Sequence, residues 1–338
     1  MASGFGLRLS PMQEIKQIIV IGSGNWGLAL AKLFVQSRPV RVWTLNAELA
    51  DQINASRQEV GPFFPYPLDE SIVVEEKYST SFEEDSTLIV LAVPSSQVRS
   101  AAAELAERTI GPLVLTVSKG FDAARQCTMS ETVTQEIPGA KVVVLTGPTI
   151  ANEVAEGKPT RAILASDNLM YLAMVKEALA NDVMCFEVSR NPTHHEICAS
   201  LKGLVAIAAG MAEGLDLGAN IQGILMTEGI REMGVVASFF GISGSVAYGV
   251  SGAGDLITTC ISPNSRNRCL GVELAKGHGL DEALKAVNMT VEGVAMSQTI
   301  ETLWALEVSI PLFHMVNGIL QGRKTDIYQE FKNVIASL

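Results

Sequence analysis

The stretch QIIVIGSGNWGLALAKLF, residues 17–34, decides the fold. Ile18 to Ile21 is an unbroken apolar run, the pattern of a strand buried on both faces. It leads into Gly22, Ser23, Gly24, Asn25, Trp26 and Gly27, and then into Leu28, Leu30, Ala31, Leu33 and Phe34 at helical spacing. Strand, glycine turn and helix with G-x-G-x-x-G at the joint is an arrangement that binds a dinucleotide. Gly22 permits the tight turn, Gly24 lets the backbone approach a pyrophosphate, and Gly27 lets the helix pack on the strand. The free N–H groups and positive dipole end of the helix then face the phosphates. All six residues, Gly22 to Gly27, are candidate cofactor-binding positions.

Working outward, further strands are expected over 40–45, 72–75, 87–93, 112–117, 141–145, 160–165 and 183–187. Helices fall between them at 49–55, 100–108, 129–136, 150–156 and 169–180, and the proline-rich 60–68 reads as loop. Strands alternating with helices predict an α/β fold, a Rossmann-type domain with a mostly parallel sheet. Beyond 189–193 (SRNPT) the alternation stops. Helices are then expected at 196–212, 220–240, 264–276, 281–287, 297–306, 311–320 and near the end. The expected organisation is a loose extension over 1–13, a dinucleotide-binding domain over 14–191 and an all-α substrate and catalytic domain over 192–338.

At 338 residues and 48% apolar content the chain has ample core for two domains. A formal charge of −11 argues against nucleic acid, though a local basic pocket on an acidic protein still suits an anionic substrate. The five cysteines show no C-x-x-C spacing, which fits reduced thiols in a cytoplasmic protein. No apolar run approaches the ~20 residues of a membrane helix, so no span is expected. Residues 1–13 lack the apolar core of a signal peptide. His194–His195 reads as a helix-start feature rather than a metal site, and His314 as structural. The second strand ends Thr44-Leu45-Asn46, without the carboxylate that binds adenosine ribose hydroxyls and without an arginine for a 2′-phosphate. Asn46 offers a neutral ribose contact, and the choice between NAD and NADP stays open.

Four features carry chemistry. Lys119, in Ser118-Lys119-Gly120-Phe121, follows a buried strand at the carboxyl edge of the sheet, where α/β proteins bind ligands. Lys202 is the one cation in EICASLKGLVAIAAG (196–210), and burial lowers a lysine pKa toward the range useful for proton transfer. Asp255 is expected to cap a helix that carries Thr258 and Thr259. Ser262-Pro263 reads as the start of the next helix, placing Arg266, Asn267 and Arg268 in its first turn as a phosphate cradle. Asn220 reads as a helix cap.

With these residues assembled, the chain resembles the NAD(P)-dependent glycerol-3-phosphate dehydrogenase family. The resemblance rests on GSGNWG (22–27), AVPSSQVR (92–99), SKGF (118–121), TGPTIANEVAEGKPT (146–160), EICASLKGLVAIAAG (196–210), GLDLGAN (214–220) and GAGDLITTCISPNSRNR (252–268). It spans roughly residues 16–320. It implies interconversion of dihydroxyacetone phosphate and sn-glycerol 3-phosphate with NAD or NADP; the apolar helical half suggests a homodimer. It implies that Lys202 is the acid/base and Lys119 a second active-site lysine, with Asp255 and Thr259 beside the catalytic lysine. Arg266 and Asn267 match substrate-phosphate and cofactor contacts, and Glu292 a residue that reaches the cofactor. The matching blocks also assign Pro94, Lys119 and Ala151 to the cofactor, and Lys119, Gly147, Thr149, Lys202 and Asp255 to the substrate. The chain departs from the family at Gly203, where the family usually has Asn, and at Glu228, where it often has Arg. Two other readings remain open: a diverged two-domain reductase of another phosphorylated hydroxy or keto compound, and a catalytically silent dinucleotide sensor.

Overall fold

A computed structural model describes residues 14–57, 64–122, 124–288, 291–304 and 309–337. The expected extension over 1–13, most of the start of the proline-rich loop and the end of the helix expected over 297–306 lie outside the described residues. The glycine turn sits where the sequence pattern puts it, between β1 (Gln17–Ile21) and α1 (Asn25–Phe34). The chain continues through β2 (Val40–Thr44), α2 (Ala47–Ala55), β3 (Val73–Glu76), β4 (Thr87–Leu91), α3 (Ser95–Ala106) and β5 (Leu113–Thr116). A two-stranded hairpin, β6 (Phe121–Asp122) and β7 (Cys127–Thr128), was not legible in the sequence because each strand is a single residue pair. Then come α4 (Met129–Glu136), β8 (Lys141–Thr146), α5 (Ala151–Ala155), β9 (Thr160–Ala165), α6 (Leu169–Ala178) and β10 (Met184–Ser189).

The main sheet has the strand order β10-β9-β8-β5-β4-β1-β2-β3. The six strands β8-β5-β4-β1-β2-β3 are parallel, β9 runs antiparallel to β8, and β10 runs parallel to β9. Strand β1 pairs with β2 on one side and β4 on the other, so the order reverses there. The crevice at the carboxyl ends of β1 and β4 is where ligands bind in such sheets. Both faces are covered: Ile18, Val20 and Val42 pack under α1, and Ile19, Ile21 and Trp43 pack under α3 and α4. Burial on both faces explains the continuous apolar runs of these strands.

The helical half begins with α7 (Pro192–Gly214) and adds α8 (Gly218–Phe239), α9 (Asp255–Ile261), α10 (Arg266–Ala275), α11 (Leu280–Val287), α12 (Glu292–Trp304), α13 (Pro311–Leu320) and α14 (Ile327–Ser337). Contrary to the expectation of no long apolar run, α7 is by length and composition apolar enough to cross a membrane. However, 83% of its apolar window is buried inside the protein, among α8, α9, α10, α12 and α13. It is the core helix of this half.

Several boundaries differ from the sequence reading. Asn46 caps α2, its Oδ1 accepting from the Leu49 N–H at 2.8 Å, which commits that oxygen to the helix. Asn220 lies inside α8 rather than at its cap. Asp255 is not an N-cap, because a π-type turn over 250–254 already has helical backbone and runs into α9. Ser262-Pro263 ends α9 instead of starting α10, whose cap is Ser265, accepting from the Arg268 N–H.

Candidate active site

The crevice fits a dinucleotide. Gly22 has a φ of +114°, and a Cβ there would lie 2.5 Å from the Ala92 carbonyl oxygen. A Cβ on Gly27 would lie 2.0 Å from the Gly22 carbonyl oxygen, so helix and strand touch backbone to backbone. Gly24, by contrast, faces open space with no atom within 4 Å of its Cβ position, the approach a pyrophosphate needs. Ser23 donates to Thr44 Oγ1 at 2.9 Å, and Asn25 Nδ2 donates to Asn152 Oδ1 at 2.8 Å. The latter bond ties the start of α5, with Ala151, to the glycine turn. Asn25 Oδ1 is buried with no protein partner. A cavity of about 350 Å³ opens beside Gly22–Gly24, between the ends of β2 and β3 and the Pro94 end of α3. That volume suits a nucleoside.

Deeper in the cleft, one carboxylate joins the two lysines. Asp255, 2% exposed, bonds Lys202 Nζ through Oδ1 at 2.5 Å and Lys119 Nζ through Oδ2 at 2.8 Å. Lys119 also donates to the Gly147 carbonyl at 2.7 Å and to Thr149 Oγ1 at 3.1 Å. Lys202 comes from the middle of α7, Asp255 from the start of α9 and Lys119 from the loop after β5, so the cluster closes across the two halves. The Lys202 pKa is lowered to about 7: burial and the neighbouring Lys119 push it down, and Asp255 holds it up. Two ammonium groups against one carboxylate leave an excess positive charge, which suits an anionic ligand on an otherwise acidic protein. Thr259 donates its hydroxyl to the Asp255 carbonyl at 2.6 Å and is committed to the turn that carries Asp255.

A second line of contacts links this cluster to the cofactor crevice. Glu292, the first residue of α12, accepts from the Ser95 N–H at 3.3 Å and from its hydroxyl at the start of α3, next to Pro94. The Gly293 N–H donates to Asn267 Oδ1 at 2.9 Å. Arg266 is exposed and has no ion-pair partner among the described residues, whereas Arg268 pairs with Glu213 at 2.5 Å. Of the two arginines of the expected cradle, then, only Arg266 is available to a ligand.

Gly203 has a structural reason. A Cβ there would meet Gly293 Cα at 2.9 Å and Asn267 Nδ2 at 3.3 Å. Helices α7 and α12 touch at this point, one residue from Lys202. A Gly203→Ala change is therefore expected to destabilise the fold by about 1–3 kcal/mol through overpacking. A thermal melt checks this; an unchanged or raised Tm would show that the contact yields freely. Glu228 on α8 accepts from Arg231, which also reaches Glu232 at 3.7 Å. The carboxylate of Glu232 in turn caps α13 through the Leu312 and Phe313 N–H groups at 2.7 and 2.8 Å.

Models of the N-terminal and C-terminal parts of NAD-dependent glycerol-3-phosphate dehydrogenase match residues 17–172 and 192–329. The chain is 33% identical over 313 residues to the glycerol-3-phosphate dehydrogenase [NAD(P)+] of Fusobacterium nucleatum, covering 91% of this chain and 93% of that one. It belongs to the NAD-dependent glycerol-3-phosphate dehydrogenase family. The corresponding protein of Thiobacillus denitrificans is 36% identical over 306 residues, covering 90% and 93% of the two chains. The glycerol-3-phosphate dehydrogenase structure from Coxiella burnetii superposes with a TM-score of 0.87 at 28% identity, covering 95% of this chain and 99% of that one.

For this family member the structure gathers Lys119, Gly147, Thr149, Lys202 and Asp255 into one cluster. It places Asn267 and Glu292 on the adjoining contact line and Arg266 exposed beside Asn267. Ser95 escaped the sequence reading, since a serine after proline at a helix start reads as an ordinary first-turn residue. So did Lys77 and Glu104, whose ion pair lines the cavity. Nothing local marks either residue.

Proposed function

We infer that the chain is an NAD(P)-dependent glycerol-3-phosphate dehydrogenase that interconverts dihydroxyacetone phosphate and sn-glycerol 3-phosphate. The observation that carries this reading is the buried Lys202–Asp255–Lys119 cluster in a chain of this family. When bound, the nicotinamide cofactor supplies or accepts the hydride. Residues Gly22 to Gly27, Pro94, Ala151, Arg266 and Glu292 would hold the cofactor. Protonated Lys202 gives a proton to the C2 oxygen during reduction and takes it back during oxidation. A pKa near 7 lets one amine serve both directions. Lys119 adds a second positive charge where alkoxide character develops, and Asp255 holds both ammonium groups in place. Arg266, Asn267 and the start of α10 receive the substrate phosphate, so that binding energy remote from C2 orients the reacting carbon. The domain division at 191/192 belongs to the same reading, with the sheet ending at Ser189 and α7 starting at Pro192.

The direct test is oxidation of NADH or NADPH by dihydroxyacetone phosphate. No turnover with either would refute the assignment and favour the silent dinucleotide sensor. An Arg266→Ala variant is expected to raise KM for dihydroxyacetone phosphate by about tenfold or more, the loss of one charge-assisted contact. Unchanged KM would remove Arg266 from the phosphate site. The reading includes a cytoplasmic homodimer. Five free cysteines support a reducing compartment. Ile257 and Ile261, one turn apart on α9 and 40% and 64% exposed, offer apolar surface to a second copy. A sedimentation measurement showing only monomer would remove the dimer.

A further inference from the structure

We propose that Lys77 receives the 2′-phosphate of NADP(H), and that Glu104, ion-paired to it, limits how strongly the protein prefers NADP(H) to NAD(H). This rests on the dehydrogenase reading only in that a dinucleotide occupies the crevice.

The end of β2 carries no charged group for discrimination. Thr44 Oγ1 is taken up by Ser23, Asn46 Oδ1 by the Leu49 N–H, and Leu45 between them is apolar and 66% exposed. A carboxylate at this point would favour the free ribose hydroxyls of NAD and repel a phosphate. The charged groups lining the adjacent cavity are Lys77 and Glu104.

Lys77 is well placed. It follows β3, and its N–H donates to the Thr44 carbonyl at 2.9 Å, which fixes its backbone against the last residue of β2. The next residue, Tyr78, is anchored with a left-handed φ of 63°. Its ring packs edge-on against Trp43, centroids 5.0 Å apart, and the Arg108 guanidinium lies 4.4 Å from its centre. The ammonium end of Lys77 contacts Glu104 of α3 at 2.6 Å, with the two side chains 31% and 44% exposed. A solvated pair of this kind is weakly held. A phosphate offers more charge and more acceptor oxygens than one carboxylate, so Lys77 exchanges Glu104 for the 2′-phosphate when one arrives. With NAD(H), nothing displaces Glu104 and the pair stays closed.

The test uses adenosine 2′,5′-bisphosphate and adenosine 5′-monophosphate as probes, titrated calorimetrically into the full chain. The wild-type protein should bind the bisphosphate more tightly. Lys77→Met should reduce that preference by about tenfold while leaving 5′-monophosphate affinity within about twofold, and Lys77→Arg should retain it. Glu104→Gln should enlarge the preference several-fold. Equal binding of the two probes by the wild type, no binding of either, or an unchanged ratio in Lys77→Met would each overturn the proposal. The outcome is independent of turnover with dihydroxyacetone phosphate, so failure here leaves the dehydrogenase reading intact, and the reverse holds too.

Discussion

Replacing Lys202 by methionine should lower kcat for dihydroxyacetone phosphate reduction by about 10³-fold, the usual scale for losing a positioned acid/base. Methionine keeps most of the aliphatic stem, and Asp255 still has Lys119 at 2.8 Å, so the fold and cofactor binding should survive. Steady-state rates together with a cofactor titration separate a lost proton donor from a lost protein. Retained turnover in a folded variant would sink the mechanism. The wild-type enzyme offers a second check. Reduction needs the protonated amine, so its rate should fall as pH rises through about 7, where burial places the Lys202 pKa. Oxidation needs the neutral amine and should rise over the same range. A reduction rate that climbs through pH 7 would assign the proton to another group.

The second large effect is expected from Asp255→Asn. This change removes the carboxylate shared by two lysines and leaves two ammonium groups facing each other in a buried cleft. Breaking a buried ion pair from one side typically costs about 3–5 kcal/mol, because an uncompensated charge is left behind. A drop in Tm on the order of 10 °C should result. Activity should change in a way that a merely loosened protein would not reproduce. Asp255 raises the Lys202 pKa, so its loss should move the falling limb of the reduction profile to lower pH. Asp255→Glu should recover part of both effects. A stable variant with an unshifted profile would reduce Asp255 to a bystander.

The elements with strong periodicity are legible in the sequence. The helix over Met129–Glu136 and the strand over Thr160–Ala165 have the expected bounds, and the glycine turn sits between strand and helix as expected. Errors cluster where neighbouring turns compete for the same caps. Ser262-Pro263 has the composition of a helix start, yet Ser265 takes that role. Asp255 reads as a cap, yet helical backbone precedes it. Such choices turn on whether one residue's backbone is extended or helical, which residue type alone does not specify. The length of α7 illustrates another gap: its composition suits a bilayer as well as a protein core, and only the helices packed around it distinguish the two.

By itself, the sequence determined the crossover with its three glycines, the change from alternating elements to helices, and a lone lysine in an apolar helix. These are short-range properties, set by side-chain period and by glycine conformation within a turn or two. Tertiary structure decided that Lys119 and Asp255, 136 positions apart, share one buried ion pair with Lys202. It also decided that Gly203 makes room for α12, and that Lys77 and Glu104 line the cavity beside the glycine turn. The physical reason is that pKa and charge recognition depend on distance and burial, and segments far apart in the chain acquire both only when they pack.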